Sequence, residues 1–413
     1  MNTRIKPSSV NGVIHVPASK SYLQRAIVAS ILADGCSTLS RCSFCDDTNA
    51  ILEIARNLGA EVHLSGNILE IKGKFSAPKA ILNCQESGLA LRMLSPVVAT
   101  LPSSTTITGE NSLLNRPINM ITDAFAQLKV EFSTSYGKLP ITVAGNLLGN
   151  DIEIDGSQGS QILTGLLMAL PLTKNGGKIS VHNLKSKPYI EMTLNVLKEW
   201  DIRIINQNFS EFFIPGNQQY KPANYSIEGD WSSAAFMIVA AAIGGEITIH
   251  GLNTESKQGD IKILEILNTV GASVSFLNDA ITIKKMHLNG FDFNASDYPD
   301  LFPPLVALAA HCNSKSTIYG VSRLLSKESN RALTLVEEFS KIGVKITILD
   351  DKMVVIPSKI KFNTVNSHND HRIAMALAIA ALSSDSGIEI EGFECIKKSY
   401  PEFYNDLKII TQQ

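Results

Sequence analysis

The chain has 413 residues, 44% of them hydrophobic and 18% charged, with a formal net charge of −2. That length exceeds what one hydrophobic core serves and predicts two domains of ordinary size, while the charge balance gives no field to attract nucleic acid or an anionic membrane. The N-terminal MNTRIKPSSVNG lacks a signal peptide's apolar core, other apolar stretches are too short or interrupted to span a bilayer, and the six cysteines include only one unsupported pair, Cys42 and Cys45; the expectation is a cytoplasmic protein with reduced thiols and no structural metal.

Strand-like residues Arg4 to Val16 come first, and then VPASKSYLQRAIVASILADG predicts a helix, capped by Ser19 or Ser21 and stopped at Gly35. Its only cations, Lys20 and Arg25, lie in the first turns, where the helix dipole is already positive and carboxylates are preferred. Such an arrangement calls for an anion from outside the helix.

Beyond this point two kinds of segment alternate. The first is an apolar helix, a Gly or polar turn and a β-branched strand: AIVASILADGCSTLS, LALRMLSPVVATLPSSTTITG, QILTGLLMALPLTKNGGKISVHN, SAAFMIVAAAIGGEITIHG, LFPPLVALAAHCNSKSTIYG and HRIAMALAIAALSSDSGIEIEG. The second is an amphipathic helix followed by a hairpin, as in ILEIARNLGAEVHLSGNILEIKG. Anchored at Lys20, Ser87, Gly159, Trp231, Pro299 and Asp370, the alternation repeats about every 70 residues and gives six units. Helices of the first kind are apolar on nearly every face and are predicted to be buried; those of the second kind have a charged face and belong outside.

The fold class is therefore α/β, built of α+β repeats: two similar domains, each of three βαβαββ units with buried helices, joined by a two-strand hinge. The sixth unit ends in YPEFYNDLKII without a hairpin, so residues 1–19 are expected to complete it. That makes residues 20–226 the first domain, and 1–19 with 227–413 a discontinuous second domain, with a ligand cleft expected between them.

Polar residues that look out of place recur at one point of the repeat, the start of the buried helix: Lys20, Ser21 and Arg25; Gly88 and Arg92; Ser160 and Gln161; Asp370, His371 and Arg372. Helix N-termini gathered on one face and lined by Lys and Arg form an anion site. More than one anionic group is needed to balance Lys20, Arg25, Arg92, Arg116, Lys327, Arg331, Arg372 and Lys398. Asp300 in DYPDLFPPL and Glu328 in SKESNR are the acids placed for proton transfer, although Asp300 also suits a helix cap.

The stretches PASKSYLQR, ESGLALR, NRPI, GSQILTGLLMALPL, SKPYIEMT, EGDWSSAAF, YPD, KESNR, NDHRIAMALAIAAL and KKSYPEFY stand in the order, and nearly at the spacing, of the EPSP synthase family, and the chain resembles it over almost its whole length. The resemblance implies transfer of the enolpyruvyl group of phosphoenolpyruvate to the 5-hydroxyl of shikimate 3-phosphate with release of phosphate. It implies a step of the shikimate pathway toward aromatic amino acids, run without metal or cofactor; a monomer is the default expectation, since the pattern picks out no exposed apolar edge for dimerisation. By the same resemblance Lys20 touches phosphoenolpyruvate and the reacting hydroxyl, and Ser21 and Arg25 hold the shikimate carboxylate. Ser160, Ser186 and Lys327 take the shikimate phosphate or ring hydroxyls, with Tyr189 against the ring and Gln161 between the substrates. Gly88, Arg116 and Lys398 bind the phosphoenolpyruvate phosphate, and Arg331 and Arg372 its carboxylate. Asp300 is the candidate base, with Glu328 and Lys20 the candidates for moving the methylene proton, and these groups are expected to have pKa values moved toward neutrality.

The sequence departs from the family pattern at Ala18, at Gly159 in place of a serine, and over Glu86 to Met93. Glu86 is expected to repel a phosphate unless paired with Lys or Arg. Leu89 and Met93, which flank Gly88, imply reduced sensitivity to the family's inhibitor glyphosate. The alternatives are the sister transferase acting on UDP-N-acetylglucosamine, whose reactive cysteine is missing from GENSLLNRP, and a non-catalytic repeat scaffold, which would not need Lys20, Asp300, Glu328 and Lys398 together.

Overall fold

The computed structural model describes residues 2–78, 80–277, 279–325 and 327–411. The first predicted helix is present as Lys20–Leu32, with the Ser19 hydroxyl accepting the Tyr22 N–H at 3.5 Å. It ends before Gly35, which instead opens the strand Gly35–Ser40 at φ 127°; a Cβ there would lie 2.6 Å from Pro222 Cγ. Glycine is needed at 35 for a close approach rather than as a helix stop.

The chain divides into two compact units, one running from Ala18 to Ile227, the other made of the segment up to Pro17 with the chain from Glu228. In the Ala18–Ile227 unit the apolar helices are Lys20–Leu32, Gly88–Val98 and Gln161–Ala169, and in the other unit Trp231–Gly244, Phe302–Ala309 and His371–Ala381. All six are buried along almost their entire length. With each fully buried Leu, Ile or Phe contributing about 1.5–3 kcal/mol, the apolar faces hold these helices in place.

The sheets of the first five repeat units share one pattern. A leading strand lies parallel to the strand after the buried helix, as in Ile152–Asp155 beside Gly177–His182, and the hairpin then adds two antiparallel strands, here Glu211–Ile214 and Ile205–Gln207. A parallel neighbour demands a crossover, and the buried helix provides it. Among the described residues there are five four-stranded sheets and one of three strands.

The N-terminal segment departs from expectation. Asn2–Ile5 does complete the sixth unit, antiparallel to Ile388–Glu391, but Val10–His15 lies parallel to Gly245–His250 and supplies the leading strand of the fourth. The first unit receives its leading strand from Asn224–Ser226, parallel to Gly35–Ser40. Residues 1–19 thus serve two units, because the parallel slot beside Gly245–His250 would otherwise stay an open edge.

Helices Gly88–Val98 and Gln161–Ala169 touch backbone to backbone. A Cβ on Gly165 would sit 2.6 Å from the Arg92 carbonyl oxygen and 2.7 Å from that of Met93. This closeness sets the two N-termini side by side.

Candidate active site

Within the Ala18–Ile227 unit the side chains at the helix starts are tied to one another. Arg25 is 1% exposed. Its Nε donates to Thr193 Oγ1 at 2.9 Å, Nη1 to the Ser21 carbonyl at 2.8 Å, and Nη2 to Thr164 Oγ1 and the Tyr189 carbonyl at 3.4 and 3.3 Å. Every one of these acceptors is neutral, and among the described residues Arg25 makes no ion pair. Burial pulls its pKa down to about 10, so the guanidinium is held in low dielectric without a countercharge. Ser160 and Ser186 are buried at the N-caps of Gln161–Ala169 and Lys187–Glu199, Ser186 at φ 60°. Ser21, Arg25, Tyr189 and Ser186 therefore come together in one place, the Tyr189 N–H donating to the Ser186 carbonyl at 3.1 Å.

Beside them, Gly88 is the first residue of its helix, and Ser87 caps it by accepting from the Ala90 N–H at 3.3 Å. A Cβ on Gly88 would fall 2.7 Å from Arg116 Nη1 and 2.8 Å from Arg92 Nη1. Two guanidinium groups and a helix N-terminus thus converge on a residue without a side chain, which is the geometry of a phosphate cradle. Arg92 also donates to Gln161 Oε1 at 3.2 Å, joining this cradle to the third buried helix. Glu86 accepts from Ser112 Oγ at 2.8 Å and Asn111 Nδ2 at 3.3 Å, on the loop leading to Arg116. Gly159 has φ 137°, a conformation that a serine would adopt only under strain.

Lys20 Nζ donates to Asp47 Oδ2 at 2.8 Å, a partner sequence reasoning did not find. The signal was the doubled acid in CSFCDDTN, at the start of the next helix. Cys42 and Cys45, close by, are buried free thiols whose pKa burial pushes up to about 12 and about 11. They are inert as nucleophiles at neutral pH.

In the other unit the candidate residues Asp300, Lys327, Glu328, Arg331 and Arg372 form one charged network. Arg331, 1% exposed, donates from Nε to Asp370 Oδ2 at 2.8 Å, from Nη1 to Asp300 Oδ1 at 3.0 Å, and from Nη2 to Glu328 and to Asp370 Oδ1 at 3.3 Å. Arg372 Nη2 lies 3.1 Å from Asp300 Oδ2. Lys398 Nζ donates to the Asn369 carbonyl at 2.7 Å.

Two electrostatic consequences differ from expectation. Burial alone would raise the Asp300 carboxyl, but Arg372, Lys327 and Arg331 outweigh it and hold the group well below the usual carboxylate range. Asp300 therefore moves away from neutrality, because three cations face it. The acid shifted toward neutrality is Asp260, absent from the sequence reading: burial pushes it up to about 7, the charge of Asp300 adding to the effect and Arg372 opposing it. The dipeptide Gly-Asp, found at 229–230 before a buried helix and again at 259–260, was its one trace in the sequence. Lys327 is lowered to about 8, chiefly by burial, with Asp300 opposing.

The sequence signature described as EPSP synthase (3-phosphoshikimate 1-carboxyvinyltransferase) matches residues 5–407. The chain is 37% identical over 408 residues to the 3-phosphoshikimate 1-carboxyvinyltransferase of Clostridium kluyveri, covering 98% of this chain and 96% of that one. It is 38% identical over 418 residues to the protein of that name from Brachyspira hyodysenteriae, covering 99% of both. Among solved structures it is similar to the EPSP synthase of Acinetobacter baumannii, with a TM-score of 0.83 at 24% identity, covering 99% of this chain and 98% of that one. It is also similar to the enolpyruvyl transferase NikO of Streptomyces tendae, with a TM-score of 0.80 at 16% identity and coverage of 98% and 96%. At those identities the structures speak for the fold, and the sequence relatives for the family.

Proposed function

Because the chain belongs to the EPSP synthase family, we propose that it transfers the enolpyruvyl group of phosphoenolpyruvate to the 5-hydroxyl of shikimate 3-phosphate, releasing phosphate, as a monomer in the cytoplasm. The observation that carries this reading is the cradle at Gly88, where Arg92 and Arg116 converge at a helix N-terminus. A phosphate group suits it in charge and shape. The neighbouring Arg25, Ser21, Ser160, Ser186, Gln161 and Tyr189 are then the ligands of shikimate 3-phosphate, Arg25 gaining from the substrate carboxylate the countercharge it lacks.

The chemistry needs a proton delivered to the methylene carbon, attack by the 5-hydroxyl oxygen on the resulting cationic carbon, and loss of a methyl proton as phosphate leaves. Asp300 is the base in this reading, and its low pKa in the free protein has a cause that substrate removes. Arg331 and Arg372 are the ligands of the phosphoenolpyruvate carboxylate, so binding transfers their charge from Asp300 to the substrate, and the Asp300 carboxylate becomes more basic as the hydroxyl arrives. Glu328 and Lys20 are the groups for the methylene proton, and Lys398 and Arg116 attend the leaving phosphate. Phosphate release is to be measured with both substrates and with each omitted, and the product identified by phosphorus NMR. Release without shikimate 3-phosphate, or a product lacking the enolpyruvyl ether, would reject the reading.

A further inference from the structure

The helix Arg331–Lys341 carries a second buried ionisable group, Glu338, two turns beyond Arg331 and so on the same face. Its side chain is wholly buried. Oε1 accepts from Lys341 Nζ at 2.8 Å and from the His368 ring Nε2 at 2.6 Å, while Oε2 accepts the backbone N–H of Asn366 at 2.8 Å. Glu337, Glu338 and His368 present ligand atoms within 4.8 Å of one another. Yet the Lys341 ammonium, 3.1 Å from Glu337 and 2.8 Å from Glu338, already supplies the cation, so the cluster is not a metal site.

What Glu338 grips is a turn of unusual backbone. His368 and Asn369 stand at φ 51° and 56°, two successive residues with side chains in the left-handed region. Such a pair persists only where its surroundings fix it. Within the turn Asn366 Oδ1 accepts the His368 N–H at 2.7 Å, and the Ser367 carbonyl accepts that of Asp370 at 2.9 Å. From it issue the Asn369 carbonyl, which holds Lys398, and Asp370, which holds Arg331 and accepts the Arg372 N–H at 3.0 Å.

We propose that Glu338 is a positioning residue for phosphoenolpyruvate: with Arg331 at the other end of the same helix it clamps the 366–370 turn, and so fixes Arg372 and Lys398 where the substrate's carboxylate and phosphate meet them. This rests on the reading of Arg372 and Lys398 given above. Neither Glu338 nor His368 touches substrate in it.

The test is steady-state kinetics with both substrates varied, on the wild type and on Glu338→Ala, Glu338→Gln and His368→Leu. Misplacing the two cations is expected to raise KM for phosphoenolpyruvate about tenfold in Glu338→Ala, leaving KM for shikimate 3-phosphate within about twofold. Glu338→Gln keeps an oxygen for the Asn366 N–H and is expected to fall between it and the wild type. Unchanged KM for phosphoenolpyruvate, or equal rises for both substrates, would overturn the proposal. Should Glu338→Ala fail to fold, Glu338→Gln and the exposed His368→Leu decide by the same criterion. A wild type without turnover would reject the function reading instead; the clamp is then judged by hydrogen exchange at the 366–370 amides in His368→Leu, where faster exchange upholds it and unchanged protection overturns it.

Discussion

Replacing Asp260 by asparagine is expected to stabilise the protein, by an amount that depends on pH. Asp260 is 3% exposed, and burial with the nearby Asp300 charge moves its pKa from 3.8 to about 7. The folded form therefore holds the proton more tightly than the unfolded form. Its contribution to stability is fully present below the unfolded value and is lost as pH rises through about 7. A shift of about three pH units at about 1.36 kcal/mol per unit makes the ionised side chain a burden on the order of 4 kcal/mol above neutrality. Asparagine keeps the shape and never ionises. Urea denaturation of the two ligand-free proteins side by side is expected to give a gap in favour of Asp260→Asn of only about 1 kcal/mol at about pH 4.5, widening up to about pH 8. A gap that does not change with pH, or a variant less stable than the wild type at about pH 8, would refute the reasoning. It would mean that Asp260 is ionised and satisfied in the fold, as a partner of Arg372.

Gly88→Ala places a methyl against the movable ends of Arg116 and Arg92, so the melting temperature is expected to hold while KM for phosphoenolpyruvate rises about tenfold; an unchanged KM would remove the phosphate cradle. Arg25→Met is expected to weaken shikimate 3-phosphate binding about 100-fold by calorimetry, since it deletes a buried charge awaiting an anion. Lys327, lowered to about 8, loses its positive charge as pH rises through that value. The alkaline limb of kcat/KM for shikimate 3-phosphate is expected near there, and Lys327→Arg to push it up by at least about one unit, as a pH profile will show. Glyphosate is expected to inhibit less strongly than it does enzymes lacking Leu89 and Met93 around the glycine, which an inhibition constant measured against phosphoenolpyruvate checks.

Some of this was written locally and some was not. The first helix is legible because Ser19, the apolar run and its length are all local signals, and the repeat is legible because six apolar helices recur between β-branched strands. Strand partners are another matter. Val10–His15 has one alternation of inward and outward residues whichever sheet it joins, and the choice of Gly245–His250 is made by an empty parallel slot more than two hundred residues away. The cations are visible as misfits on apolar helices, and Asp300, Glu328 and Asp370 as acids near them, but their pairing is not local: Asp370 caps its own helix by accepting the Arg372 N–H while also meeting Arg331, 39 residues distant.

Under the proposed function, the cations of the two units differ in what an arriving anion displaces. Arg25 waits among hydroxyls and carbonyls, so an anion arriving there displaces no internal carboxylate and gains the whole of the missing countercharge. Arg331 and Arg372 already hold Asp300, Glu328 and Asp370, so an anion arriving there must exchange partners, and the net gain is the small difference between two ion-paired states. In that reading tight binding is expected of the first arrangement. The second is expected to return less affinity and more chemistry, since every cation it surrenders would leave a carboxylate more basic than before, and the one most changed would be Asp300, which faces three cations in the free protein.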